Sequence, residues 1–244
     1  MRLEAPAKLT WTLEVTGRRP DGYHELRSEM CSLDLVDVLE IDENADYLEV
    51  VGAGPDVTSG EDNLVARALR LVQRRAGVRL EKVIPSGGGL GGGSADAAAI
   101  LRWAKMSDLS RALELGSDVP FCLVGGRALV EGVGETVTPL SDEERVVTLL
   151  LPGWRVSTAA VYRAFDEGHR TVVGGLNDLE AAARVVEPRL GELLDWARAR
   201  YDDVRLAGSG STVFVVGEVV ETTDVPERVG PLRWIKSRTT PRPG

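Results

Sequence analysis

The sequence predicts an α+β protein built as two lobes, and three observations carry that prediction. Residues 6–15 alternate, with Leu9, Trp11, Leu13 and Val15 on one face and Lys8, Thr10, Thr12 and Glu14 on the other, the period of a half-buried strand. From residue 146 onward the segments follow the order β-α-β-β-α-β with one extra helix, which is the split βαβ pattern. Between the halves, Ser141-Asp142-Glu143-Glu144-Arg145 forms a charged break. The lobes are therefore expected over residues 1–143 and 144–244.

In chain order, Arg18-Arg19-Pro20-Asp21-Gly22 is turn chemistry: proline presets φ and glycine accepts positive φ, so Tyr23 and His24 emerge from a tight turn. Strand-like segments follow near 34–42 and 47–52. Asn63 to Arg75 reads as an amphipathic helix, with Leu64, Ala68, Leu71 and Val72 on its apolar side and Arg67, Arg70, Arg74 and Arg75 mostly on a solvated face. After a glycine-rich loop, one helix is expected from Ser94 or Ala95 to Ala104 and a second from Ser107 to Leu115. Asp118 is placed to cap a new helical turn, with Pro120 just inside it. Arg127 to Leu140 reads as a hairpin turning at Gly132-Val133-Gly134. The second half offers a strand at 146–151 and a helix at 157–165 opened by Ser157 and Thr158. A helical region at 178–201, interrupted at Pro188, leads to two strands around Gly208-Ser209-Gly210, a short helical piece and a last strand at 232–237.

Composition removes several classes of function. A net charge of −9 argues against a nucleic-acid surface, which requires clustered Lys and Arg. With 244 residues the chain is long enough to bury a sizeable core without covalent staples. Cys31 and Cys122 lack metal spacing and read as reduced buried thiols, from which a cytoplasmic location follows. His24 and His169 lie far apart with no cysteine cluster beside them, so a zinc site is not expected. The N-terminus has no signal core, and no apolar run is long enough to cross a bilayer; neither export nor membrane association is expected.

The most informative segment is Pro85-Ser86-Gly87-Gly88-Gly89-Leu90-Gly91-Gly92-Gly93-Ser94, lying between an apolar run and an alanine-rich helical stretch. Six glycines lose much backbone entropy on ordering, so their presence points to backbone N–H groups brought close to a ligand. The following helix would aim its N-terminal N–H groups and positive dipole end at the same place, which suits an anion. No Lys-Ser/Thr pair follows the last glycine, which argues against a Walker-type loop. Gly87, Gly89 and Gly92 fit G-x-G-x-x-G, and a dinucleotide site or a flexible linker remain alternatives on the loop alone. A serine-hydrolase reading of Gly208-Ser209-Gly210-Ser211 fails, because Ala207 occupies the first glycine position of the nearest G-x-S-x-G frame.

Taken together, Pro6-Ala7-Lys8-Leu9, Arg19-Pro20-Asp21-Gly22-Tyr23-His24, the glycine loop with Ser94-Ala95-Asp96-Ala97-Ala98, Asp118-Val119-Pro120-Phe121, Gly132-Val133-Gly134-Glu135 and Gly208-Ser209-Gly210-Ser211 resemble the GHMP small-molecule kinases. The Asp-Gly-Tyr-His turn points, within them, to the members acting on a cytidine-diphosphate-linked methylerythritol of the non-mevalonate isoprenoid pathway. The resemblance spans nearly the whole chain. It implies the GHMP kinase two-lobe fold, with an N-terminal ribosomal-S5-domain-2-like lobe and a C-terminal ferredoxin-like lobe. It further implies ATP as phosphoryl donor with Mg²⁺, and transfer to the 2-hydroxyl of the substrate. Asp118 would be the base and Lys8 its electrostatic partner. Pro85 to Gly93, Ser94 and Asn63 would bind ATP, with Ser94 also a metal contact. Thr10, Tyr23, His24, Tyr162, Gly208 and Ser209 would bind the substrate, Tyr23 and Tyr162 stacking on the base from opposite sides. A monomer or homodimer is expected. Read without the resemblance, Asp118 and Asn63 are helix caps, Lys8 is a solvated strand lysine, Tyr162 is core, and Asn177 and Asp178 are capping residues.

This chain departs from the family pattern in three places: Thr10 stands where asparagine is usual, Met30 where an aromatic is common, and the stretch from Ser94 to Asp118 is short. An impaired nucleotide-binding member and a kinase for another small alcohol are therefore kept as alternatives. The quantity the structure must supply is the separation between glycine loop and Asp118.

Overall fold

The strand expected over residues 6–15 is two strands. In the computed structural model, which describes residues 1–52, 59–170 and 175–242, β1 (Arg2–Thr10) ends where Trp11 N–H and Thr12 N–H both turn to Glu29 O, and β2 (Glu14–Arg18) begins after the gap. Leu13, between them, pairs instead with Asn177 of the second lobe. Lys8 and Thr10, expected on a solvated face, are only 6% and 2% exposed, so the second half of β1 is buried on both sides. Alternation signals a strand but cannot reveal that a second layer covers its polar face.

The first lobe continues with β3 (His24–Asp42), β4 (Tyr47–Val51), α1 (Leu64–Leu71), β5 (Gly77–Glu81), α2 (Gly92–Trp103), α3 (Leu109–Leu113), α4 (Val119–Val124) and the hairpin β6 (Arg127–Gly132) and β7 (Thr136–Pro139). The second contains β8 (Val146–Pro152), α5 (Thr158–Asp166), α6 (Glu180–Val186), α7 (Pro188–Arg198), β9 (Val204–Leu206), β10 (Val213–Val216) and β11 (Leu232–Thr240). Pro188 opens α7 at its first turn, where its missing N–H costs nothing, and so divides the predicted helical region.

β3 is the spine of the first lobe, pairing antiparallel with β1, β2, β5 and β6. In the second lobe the order β11-β8-β10-β9 is antiparallel throughout, with β10 inserted between β8 and β9 as a split βαβ requires. The short helical piece expected before the last strand is not a helix: the described residues 217–231 run through turns, with Pro226 and Pro231 interrupting any helical ladder. β11 pairs with β8 and, at Thr239 and Thr240, with Leu33 and Ser32 of β3, so the sheet runs from one lobe into the other.

Each lobe has its own core, the first around Leu39, Leu80, Ile100 and Phe121, the second around Leu150, Val161, Leu193 and Val213. A third cluster joins them: Ala7, Leu9, Cys31 and Leu33 meet Leu149, Phe214 and Leu90. Leu90, the one large residue among the loop glycines, is 1% exposed, and burial of such a side chain contributes about 2 kcal/mol. The loop is thus pinned at its centre to the seam between the lobes. Among the described residues no helix is long and apolar enough to cross a membrane.

Candidate active site

Lys8 and Asp118, 110 residues apart in the chain, meet at this seam. Lys8 Nζ lies 3.4 Å from Asp118 Oδ2 and donates to Thr10 Oγ1 at 3.0 Å. The lysine side chain is almost fully enclosed, whereas the Asp118 side chain keeps 30% of its surface. Asp118 stands at the N-cap position of α4 with Pro120 just inside, as expected, but makes no side-chain capping bond there; its carboxylate is turned to Lys8. Thr10 supplies a hydroxyl acceptor that fixes the ammonium two residues along the same strand.

Two glycine segments make this approach possible. Gly91 has φ +66°, and a Cβ there would stand 2.6 Å from Lys8 Cγ. Only a residue without a side chain lets the loop lie on the lysine stem. On the other side Gly134, at φ +116°, leaves room for the carbonyl of Ser117, which a Cβ would meet at 2.2 Å. The β6–β7 turn therefore props the segment that carries Asp118. The backbone closes the arrangement: Lys8 N–H donates to Leu90 O at 2.9 Å, and Thr212 N–H donates to Gly88 O at 3.3 Å. Lys8 is the link between loop and carboxylate, with Gly91 against its stem and Asp118 beside its ammonium.

α2 begins at Gly92 rather than at Ser94 or Ala95, so Gly92, Gly93 and Ser94 form its first turn. The loop and this turn face a cavity of about 470 Å³, lined also by Asn63, Lys82 and Asp96. Asn63 caps α1, its side chain accepting from Val65 N–H at 2.9 Å, while lining that cavity. The cap reading of Asn63 and a place beside the cavity are both satisfied. At the opposite side of Lys8, Gly208 comes close enough that a Cβ would stand 3.8 Å from Lys8 Nζ. Asn177 holds that turn, donating to Leu206 O and Gly208 O at 3.0 and 2.7 Å while accepting from Leu179 N–H. Asp178 accepts from Val15 N–H at 2.9 Å across the lobes. Helix capping alone does not describe either residue. Ser209 exchanges a 2.9 Å hydrogen bond with Thr158 at the start of α5.

The second half of the site is the tip of the β2–β3 hairpin against α5. His24 Nε2 lies 2.7 Å from Asp166 Oδ1, and Arg18 approaches the other oxygen of Asp166 at 3.4 Å. The Tyr162 ring stacks on His24, centroids 4.7 Å apart, and Phe165 meets the same imidazole edge-on. Tyr162 thus faces His24 itself rather than closing a slot opposite Tyr23, which is 65% exposed. Burial, with a smaller contribution from the charge of Asp118, pushes the Tyr162 phenol up to about 12, so it stays protonated.

Sequence reasoning passed over a third group. Lys82 Nζ contacts Asp37 Oδ2 and lies 2.6 Å from Asp96 Oδ2, all three side chains being buried. Asp37 also accepts from Val83 N–H at 2.5 Å and Ile84 N–H at 2.8 Å, which fixes the entry to the glycine loop. Burial, which outweighs the attraction of Lys82, pushes the Asp96 carboxyl up to about 7. No local pattern links residues 37, 82 and 96. Asp166 had a signal, lying one helical turn beyond Tyr162. Cys31 and Cys122 are buried, and burial pushes both thiols up to about 12. Neither has the exposed, cation-flanked setting of a reactive thiol.

The chain is similar to known proteins over most of its length. The GHMP kinases N terminal domain profile matches residues 63–126 and the GHMP kinases C terminal profile matches residues 159–229. A 4-diphosphocytidyl-2-C-methyl-D-erythritol kinase of Paracoccus denitrificans is 41% identical over 87% of this chain and 85% of its own length. The crystal structure of a 4-(cytidine 5'-diphospho)-2C-methyl-D-erythritol kinase superposes with a TM-score of 0.74 at 33% identity, covering 98% of this chain and all (100%) of that one. A homoserine kinase from Cytophaga hutchinsonii, at 18% identity and a TM-score of 0.62 over 99% of this chain and 95% of its own, shares the fold. The protein is an ATP-dependent small-molecule kinase of the GHMP type. Within that class it belongs to the 4-diphosphocytidyl-2-C-methyl-D-erythritol kinase family.

Proposed function

We propose that this kinase transfers the γ-phosphoryl of ATP to the 2-hydroxyl of 4-diphosphocytidyl-2-C-methyl-D-erythritol, in the non-mevalonate route to isoprenoids. The observation that carries the reading is the Lys8–Asp118 pair, 3.4 Å apart, whose lysine stem lies against Gly91 of the glycine loop. Asp118 accepts the proton of the attacking hydroxyl as its oxygen bonds to the γ-phosphorus, and the bond from that phosphorus to the β–γ bridging oxygen breaks in line. Phosphoryl transfer asks chiefly for position and charge stabilisation, which is what an enclosed ammonium beside a partly open carboxylate provides.

The nucleotide occupies the cavity of the glycine loop, its phosphates on the backbone of Gly87 to Gly93 and the N-terminal turn of α2, its base toward Asn63. Mg²⁺ takes few protein ligands and keeps water and phosphate oxygens, so the Ser94 hydroxyl beside the loop fits as its protein contact. When bound, the ion neutralises charge on the phosphates. Tyr23 and His24 receive the cytosine, with Tyr162, Asp166 and Phe165 orienting the imidazole. Thr10, Gly208 and Ser209 border the acceptor. The two lobes divide at residue 143.

The deciding experiment is ADP release from Mg-ATP with and without the diphosphocytidyl substrate, with product identified by mass. Saturable, substrate-dependent release with added phosphate on the methylerythritol moiety is expected. Phosphorylation of homoserine or mevalonate with none of the cytidylyl substrate would replace this reading with that of a kinase for another alcohol.

A further inference from the structure

On the outer side of the phosphate loop lies a cationic recess to which both lobes contribute. Arg155, in the turn between β8 and α5, packs its side chain on Gly87, where a Cβ would stand 2.6 Å from Arg155 Cδ and 2.8 Å from Nε. Gly87 has φ +74°, so the position favours glycine twice over: for its backbone and for the arginine resting on it. Next to this contact is a cavity of about 380 Å³ lined by Lys82, Pro85, Ser86, Arg155 and Arg233 among others. Lys82, Ile84, Pro85 and Ser86 also line the cavity that faces the glycine loop, so the two spaces meet at the loop entrance. Among the described lining residues of the recess, three are cations and none is acidic.

A triphosphate on the loop needs positive charge from the protein, in a chain whose net charge is −9. Backbone N–H groups supply partial charge only. The geometry points to Arg155 as a nucleotide-positioning residue of this enzyme, reaching over Gly87 from the second lobe to bind phosphate oxygens of ATP, with Arg233 adding to the field. A guanidinium suits this place because its planar fork pairs with two phosphate oxygens at once. Nucleotide binding then draws charge from both lobes. This inference rests on the reading of the glycine loop as the ATP-phosphate site.

The test compares the non-hydrolysable analogue AMPPNP with adenosine, each titrated with Mg²⁺ into full-length wild type, Arg155→Ala and Arg155→Lys. Arg155 is exposed, so neither change removes core. For Arg155→Ala, AMPPNP affinity is expected to fall about tenfold or more, the loss of one charge-assisted phosphate contact, with a shallower salt dependence. Adenosine affinity stays within about twofold, Arg155→Lys recovers part of the loss, and the KM of the cytidylyl substrate is unchanged. An AMPPNP affinity for Arg155→Ala within about twofold of wild type would overturn the inference, as would an equal loss for adenosine, which would make Arg155 mere packing for the loop. Failure of wild type itself to bind AMPPNP would refute the ATP reading, and this inference with it.

Discussion

Two adjacent glycines of the loop separate two lysines with opposite fates. Gly91 rests on Lys8 and Gly92 on Lys82, whose Nζ a Cβ at Gly92 would approach to 3.1 Å. Lys8 has one carboxylate partner, at 3.4 Å, and that partner is open to the site. Lys82 has two, in direct contact, and all three groups are shut away. Unlike charges at similar depth thus serve different ends. Where the carboxylate keeps contact with the exterior it can exchange a proton with a substrate. Where both carboxylates are enclosed, the cluster fixes the loop entrance and pays in desolvation.

The largest expected effect lies on the open pair. Asp118→Asn keeps the shape but removes the proton acceptor, and kcat is expected to fall by about 10³-fold or more, with AMPPNP affinity within a few-fold of wild type. Near-normal turnover would remove Asp118 as base and erase the contrast with the closed cluster. Lys82→Met acts on the other side, leaving Asp37 and Asp96 facing each other without a cation; a loss of about 3–5 kcal/mol in urea unfolding is expected at pH 8. The deficit should shrink at pH 5, where Asp96, whose carboxyl is already pushed up to about 7, takes a proton.

Gly91→Ala sharpens the comparison more finely. It forces positive φ on a side chain and presses Lys8, so about 1–2 kcal/mol of strain is expected, read as a fall in kcat larger than the fall in thermal stability. A loss confined to stability would show that the position of Lys8 does not govern turnover.

The smallest effect belongs to a half-open network between the lobes, in which Glu29 accepts from Arg127 and Arg145 while Arg145 stacks on Trp11. Burial acts to raise the Glu29 carboxyl, but the hydrogen bonds and charges of the two arginines outweigh it and hold it below its ordinary value. A lowered folded-state value means stability that is present above the ordinary carboxylate range and lost as pH falls through the folded value. Glu29→Gln is therefore expected to cost about 1 kcal/mol at pH 7, with the cost shrinking as pH is taken below the ordinary carboxylate range, by urea unfolding at each pH. A constant difference across that range would exclude charge as the cause.

Much of this molecule was legible in its sequence because the relevant signals are local. The glycine loop, the Asp-Gly-Tyr-His turn, the break at Pro188 and the hairpin at Gly132 to Gly134 are backbone chemistry written in consecutive residues. The resemblance then selected Lys8 and Asp118, which no local rule could pair. What composition and periodicity could not reach were contacts between segments far apart in the chain: burial of Lys8 and Thr10 on a strand that alternates, the clamp of Asn177 on Gly208, the setting of His24 between Tyr162 and Asp166, and the buried cluster at Lys82. Alternation and turn propensity depend on near neighbours and so survive in one dimension. Whether a charge ends up open to a ligand or sealed against two carboxylates depends on which segments the sheet and the inter-lobe core bring together, and that was decided only in the folded chain.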